Sequence, residues 1–256
     1  MNDLKKQSSD DFYRSTPIDL SFSSLNRRFK YHLFMILSMV LMRAVIAEDT
    51  KLHDGFIYLD TVITDVKQEL MYASKNNFTG KVVDGYEKNR AILTIEAAGA
   101  LKKVDDELKM EGYGLVICDA YRPKRAVSSF MKWRKEPDNH EIKKKYYPDH
   151  DKQSLFRRPN RYIAPAYSSH SRGSTVDLTL YDLKTKNRVD MGTNVDFFGS
   201  LSHTDNKNIS DQAQKNRKIL KEAMKKYGFK NYPKEWWHYT LVSEPFPNNY
   251  FDFPVK

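Results

Sequence analysis

The chain has 256 residues, 40% hydrophobic and 30% charged, with a formal net charge of +10. That composition belongs to a soluble globular protein, with one domain by default and two possible. The single cysteine, Cys118, excludes an intramolecular disulfide and any cysteine-built metal centre. Lysines and arginines are scattered, with local runs at Lys143-Lys144-Lys145 and Lys225-Lys226. They form no aromatic-interleaved basic stripe, so no nucleic-acid partner is expected. Such a surface fits proximity to an anionic wall or membrane.

Residues 34 to 42 read Phe-Met-Ile-Leu-Ser-Met-Val-Leu-Met, after Arg27, Arg28 and Lys30 and before Val45-Ile46-Ala47. Basic flank, short apolar core and small exit residue are the parts of a secretory signal peptide. The run is too short for a comfortable membrane span, which needs about 20 residues. The long polar lead before it leaves open a later start of translation or an uncleaved anchor. No cysteine stands at its exit, which excludes a lipoprotein anchor. The expectation is an N-terminal lead and signal peptide over residues 1–47, an exported protein, and one catalytic domain over 48–256. Cytoplasmic residence is the alternative.

Val62 to Tyr72 mixes helical spacing with β-branched residues, so helix and strand both stay open. Asn76-Asn77-Phe78-Thr79-Gly80 is a turn cluster. Ala91, Ile92, Ile95, Ala98, Leu101 and Val104 recur at three-and-four spacing and predict a helix from Arg90 to Glu107, stopped by Gly112. Tyr113 to Cys118 reads as a buried strand, with Cys118 a small core residue rather than a reactive thiol. A helix from Ala126 to Lys135 follows the Pro123 turn. Residues 136 to 165, rich in Pro, Asn, Asp and Lys, read as a long surface loop. Val176 to Leu180 alternates as a strand, with Asp177 and Thr179 on one face. Asp211 to Tyr227 is a helix ended by Gly228, and Trp236 to Val242 is the last strand. The order predicts an α+β domain with a small, mostly antiparallel sheet flanked by helices.

Two segments carry the chemistry. Ser168-Ser169-His170-Ser171-Arg172-Gly173-Ser174-Thr175-Val176-Asp177 and Glu235-Trp236-Trp237-His238 supply two imidazoles and a carboxylate, a donor set suited to zinc, with a second carboxylate beside it. Three protein ligands with one open position are what a catalytic zinc needs, and Glu235 is placed to take a proton from its water. Glu235 and His238 differ by an odd number, so in a regular strand they would face opposite sides. Glu235 is therefore expected in the turn before the strand. His32, His53, His140 and His150 read as ordinary loop histidines.

At these residues the chain resembles the zinc D-alanyl-D-alanine dipeptidases of the VanX type. Their superfamily also holds D,D-carboxypeptidases and hedgehog-fold proteins. The resemblance spans roughly residues 55 to 245 and includes Tyr72 through Tyr86, Asp119-Ala120-Tyr121-Arg122-Pro123, and Met191-Gly192-Thr193 leading to Asp196. It implies one Zn2+ per chain, held by His170, Asp177 and His238, with Glu235 as general base. It places Arg122 in the site, where a guanidinium stabilises the oxyanion of amide hydrolysis. Asp196 would bind the substrate's free amine, Ser168 would help hold its carboxylate, and Tyr72 and Tyr86 would line the pocket. The implied substrate is D-Ala-D-Ala. His203 matches a family position without being a ligand. Thr175, Asn194 and Val195 depart from the family pattern and leave the ligands untouched. The competing readings are a D,D-carboxypeptidase on longer wall peptides and a non-catalytic zinc-stabilised module that binds such peptides. For single residues they are a helix cap at Asp196, a surface ion pair at Arg122 and plain core tyrosines.

Overall fold

A computed structural model describes residues 52–159 and 161–256, together with four helical residues at 31–32 and 34–35. The rest of the expected export segment lies outside the described residues. Among those described, no helix is long and apolar enough to cross a membrane. Leu52 to Lys256 form one compact unit.

Its seven strands form two sheets. β1 (Phe56–Tyr58) pairs antiparallel with β3 (Ile92–Thr94). The other sheet runs β2 (Lys67–Gln68), β4 (Tyr113–Asp119), β5 (Thr175–Asp182), β7 (Glu235–Leu241), β6 (Phe229–Tyr232). Only β2 and β4 are parallel, so the α+β, mostly antiparallel expectation holds. Helices α1 (Ile95–Met110) and α4 (Asp211–Lys226) pack against each other; α1 also contacts β4, and α4 contacts β6 and β7. α2 (Lys124–Trp133) and α3 (His140–Tyr146) complete the helices.

α1 starts later than its apolar spacing suggests. Ile92 to Thr94 are wholly buried as a strand, and the Thr94 hydroxyl caps the helix by accepting from Ala97 N–H at 3.3 Å. Two apolar residues beside a capping threonine fit a buried strand as well as a first helical turn, and pairing with β1 decides it. Ala97, Ala98, Leu101, Val104 and Leu108 then face the core, and Gly112 turns the chain at φ +88°. α4 matches its expected span, capped by Ser210. Its buried Arg217 donates to the carbonyls of Met191, Leu201 and His203 and pins the segment that carries Asp196.

The segment 136–165 is not a surface loop. It contains α3 and a short 3-10 turn at Ser154–Phe156, and it buries Tyr146, Tyr147, Leu155, Phe156 and Ile163. The buried Lys152 donates to the carbonyls of Glu136 and Pro137 at 3.1 and 2.9 Å. Its charged residues mask an apolar inner face. The ambiguous stretch 62–72 resolves into short pieces: turns that follow the 3-10 turn Leu59–Thr61, the two-residue β2, and the start of another 3-10 turn, Met71–Ala73.

Candidate active site

Register builds the core of the site. Asp119, Asp177 and His238 are consecutive Cα partners across β4, β5 and β7, so three polar side chains stand side by side. β5 is buried along almost its whole length. His170 arrives from the 3-10 turn Ser169–Arg172, whose first cap is the Ser168 hydroxyl and whose last is Gly173 at φ +82°. A Cβ on Gly173 would lie 2.1 Å from the Phe56 ring, so only glycine lets the turn close on β1.

His170 Nε2 lies 3.3 Å from both His238 Nδ1 and Asp177 Oδ2, and His238 Nδ1 lies 3.0 Å from Asp177 Oδ1. A tetrahedral ion with bonds of about 2.0–2.1 Å sets its ligand atoms about 3.3 Å apart. The donor set and its spacing therefore fit zinc. His170 Nδ1–H donates to the Ala120 carbonyl at 2.7 Å, which fixes the tautomer that leaves Nε2 with its lone pair toward the centre. Burial pushes the His238 imidazole below its usual pKa, toward the neutral form a metal needs. Burial opposes charge on Asp177, but the two imidazoles outweigh it and hold its carboxyl well below the usual range.

Glu235 is the first residue of β7 rather than part of the preceding turn. The ladder with β6 is irregular between Asn231 and Tyr232, and this break at the strand's start lets Glu235 and His238 share one cleft. Their side chains approach at 3.6 Å. Burial, then the charges of Asp177 and Asp196, push the Glu235 carboxyl well above its usual range.

Arg122 is buried, not a surface ion pair. Its Nε and one terminal nitrogen each meet Asp119 Oδ2 at 2.8 Å, and that terminal nitrogen lies 3.6 Å from Asp177. Asp119 went unassigned in the sequence, although it opens the quoted segment; an aspartate three before an arginine reads as an ordinary ion pair. Asp196 is 4% exposed and sits at φ +62°, so it is not a helix cap. It accepts from the Tyr72 hydroxyl at 2.8 Å. Burial, then Asp177, raise its pKa to about 7.

These groups line a cavity of about 220 Å³, walled also by Phe78, Phe130, Tyr162 and Phe198. Tyr72, Arg122, Ser168, His170, Asp177, Asp196, Glu235 and His238 all face it. Tyr86 does not line it: its hydroxyl donates to Asp119 at 2.6 Å, behind Arg122. His203 stands off the cavity and bonds Tyr162 at 3.1 Å. Cys118 is fully buried core, its thiol pushed up to about 12 by burial.

The sequence profile of the Peptidase M15 family, D-ala-D-ala dipeptidase, matches residues 52–256. A D-alanyl-D-alanine dipeptidase of Enterococcus faecium is 47% identical over 202 residues, covering 79% of this chain and 98% of that protein. Another from Streptomyces coelicolor is 40% identical over 200 residues, covering 78% and 98%. Among solved structures, a mutant of the vancomycin resistance D,D-pentapeptidase VanY in complex with Zn(II) is 19% identical, with a TM-score of 0.38 over 62% of this chain and 77% of that one. The chain belongs to the Peptidase M15 family of D-ala-D-ala dipeptidases and is a dipeptide hydrolase.

Proposed function

We propose that the cavity cleaves free D-Ala-D-Ala into two D-Ala, with one zinc ion held by His170, Asp177 and His238. The observation that carries this reading is the convergence of three donor side chains, which approach one another at 3.0 to 3.3 Å, on a cavity that also receives Glu235 and Arg122. When bound there, zinc supplies Lewis acidity toward the carbonyl and lowers the pKa of a water to about 7.

The chain's own residues do the rest. Glu235 takes the proton of the attacking water and delivers it to the leaving amine. Arg122, held rigid by Asp119, keeps its charge despite burial and faces the oxygen that becomes an oxyanion. Such a donor contributes roughly 3–4 kcal/mol in comparable sites. Asp196, backed by Tyr72, takes the substrate ammonium, and Ser168 contributes to holding the carboxylate. The cavity is smaller than the roughly 300–1,000 Å³ usual for drug-sized ligands, which suits a dipeptide.

The test is D-Ala release by the zinc-loaded protein from free D-Ala-D-Ala and from its N-acetylated form. Release from the free dipeptide alone is expected. Equal or faster release from the acetylated form would move the enzyme to the carboxypeptidase class, and no release from either would leave a binding module.

A further inference from the structure

The segment from Phe251 to Val255 touches the stretches that carry His170, Arg122 and Tyr86. The backbone of Phe251 bridges two of them. Its N–H donates to the Ser171 carbonyl at 2.8 Å, and its carbonyl accepts from Lys124 N–H at 3.1 Å. Ser171 follows His170; Lys124 opens α2 two residues after Arg122.

Asp252 supplies what α2 lacks. Pro123 is the N-cap of that helix and offers no capping side chain. The Asp252 carboxylate instead accepts from Arg125 N–H at 2.7 Å, from 127 residues away, and also from the Arg125 guanidinium at 3.2 Å. A carboxylate there satisfies an orphan N–H and meets the positive end of the helix. Phe253 lies flat on Tyr121, ring centres 4.1 Å apart, and its carbonyl accepts from the Tyr121 hydroxyl at 2.9 Å. Val255 donates to Gly85 and accepts from Glu87, each at 2.8 Å, on either side of Tyr86. Tyr86 in turn holds Asp119, which holds Arg122.

We propose that Phe251–Val255 is a positioning strap, which sets the aim of Arg122 and the seat of the His170 turn from outside the cavity. None of the five residues lines the cavity, so any effect on turnover runs through residues that do. The inference rests on Arg122 acting on the reacting carbonyl.

The experiment is Asp252→Ala in the zinc-loaded full chain, alone and combined with Arg122→Ala. The Asp252 side chain is 43% exposed, so its removal leaves the fold intact. A displacement of 1 Å costs about 100-fold, so partial loss of aim lowers kcat about tenfold, with KM within about twofold. Zinc content stays unchanged, and the thermal midpoint falls by only a few degrees, as loss of one helix cap predicts. In the Arg122→Ala background the same replacement has no further effect, because the two act through one group. Asp252→Asn, which keeps an acceptor for Arg125 N–H, retains most of kcat. Unchanged kcat in Asp252→Ala overturns the strap, as does an equal loss in both backgrounds, which marks a general effect on the fold. If Arg122→Ala itself keeps full kcat, the oxyanion role falls and the strap with it.

Discussion

Replacing Asp196 by asparagine removes one charge and little else. The residue sits at φ +62°, a left-handed conformation that Asn adopts as readily as Asp, whereas Ala would strain it. The Asn amide oxygen can still accept from the Tyr72 hydroxyl, which now stands 2.8 Å from the carboxylate. The carboxylate is buried, with no ion-pair partner within bonding distance among the described residues, so in the complex it is free to pair with the substrate ammonium. Removing one partner of a buried charge pair costs about 2–5 kcal/mol. At about 1.4 kcal/mol per decade, kcat/KM for free D-Ala-D-Ala falls by about 30-fold to a few thousandfold. N-acetyl-D-Ala-D-Ala has no charge to lose and changes by less than about tenfold. The assay is D-Ala release from both substrates by the wild type and the variant. An equal fall for both would refute the assignment, because it would mean that Asp196 serves the site's architecture. Stability gives a second arm. Burial raises the folded pKa to about 7, above about 3.9 in the unfolded chain, so between those values the folded state binds the extra proton and stability falls as pH rises. Asp196→Asn lacks that slope, and its thermal midpoint gains on the wild type as pH goes from 5 to 8.

Glu235→Gln keeps the shape of the side chain but cannot take a proton; kcat drops by about 10² to 10⁴ while zinc stays bound, and loss of zinc as well would contradict its role. Dialysis against a chelator abolishes turnover and one equivalent of zinc restores it, whereas His170→Ala cannot be restored in this way; metal content and activity titrated together check this. Cys118, with its thiol at about 12, shows no alkylation at pH 8 until the chain is unfolded. The N-terminal lead is tested by sequencing the mature protein from its host: a start near residue 48 supports export, and one before residue 30 refutes cleavage.

The residues proposed as metal ligands, which the structure brings together, were legible because short motifs carry them: one turn-and-strand segment holds His170 and Asp177, and four residues hold Glu235 and His238. The strands β4 and β5 and the helix α4 were legible from period and punctuation. What escaped depends on partners distant in the chain. Ile92–Thr94 is a strand because β1 lies beside it. Tyr86 faces Asp119 rather than the cavity, a choice between two sides of one loop. Glu235 enters the strand itself because the ladder breaks at Tyr232, which no parity rule foresees. The segment 136–165 looks solvated because its charges outnumber the five apolar residues that hold it down.

The pairing of Asp177 with His238 across two strands has a consequence for how the protein folds. A slip of β7 by one residue would set Trp237 or Tyr239 opposite Asp177 and turn the imidazole to the other side of the sheet. Misregistered chains therefore lack the full donor set. Zinc uptake at the proposed site would report that two segments 61 residues apart have zipped in the right phase. Because a ligand that binds only the native pairing draws the population toward it, a metal held at the proposed site would act during folding as a proofreader of strand alignment, before any substrate is met.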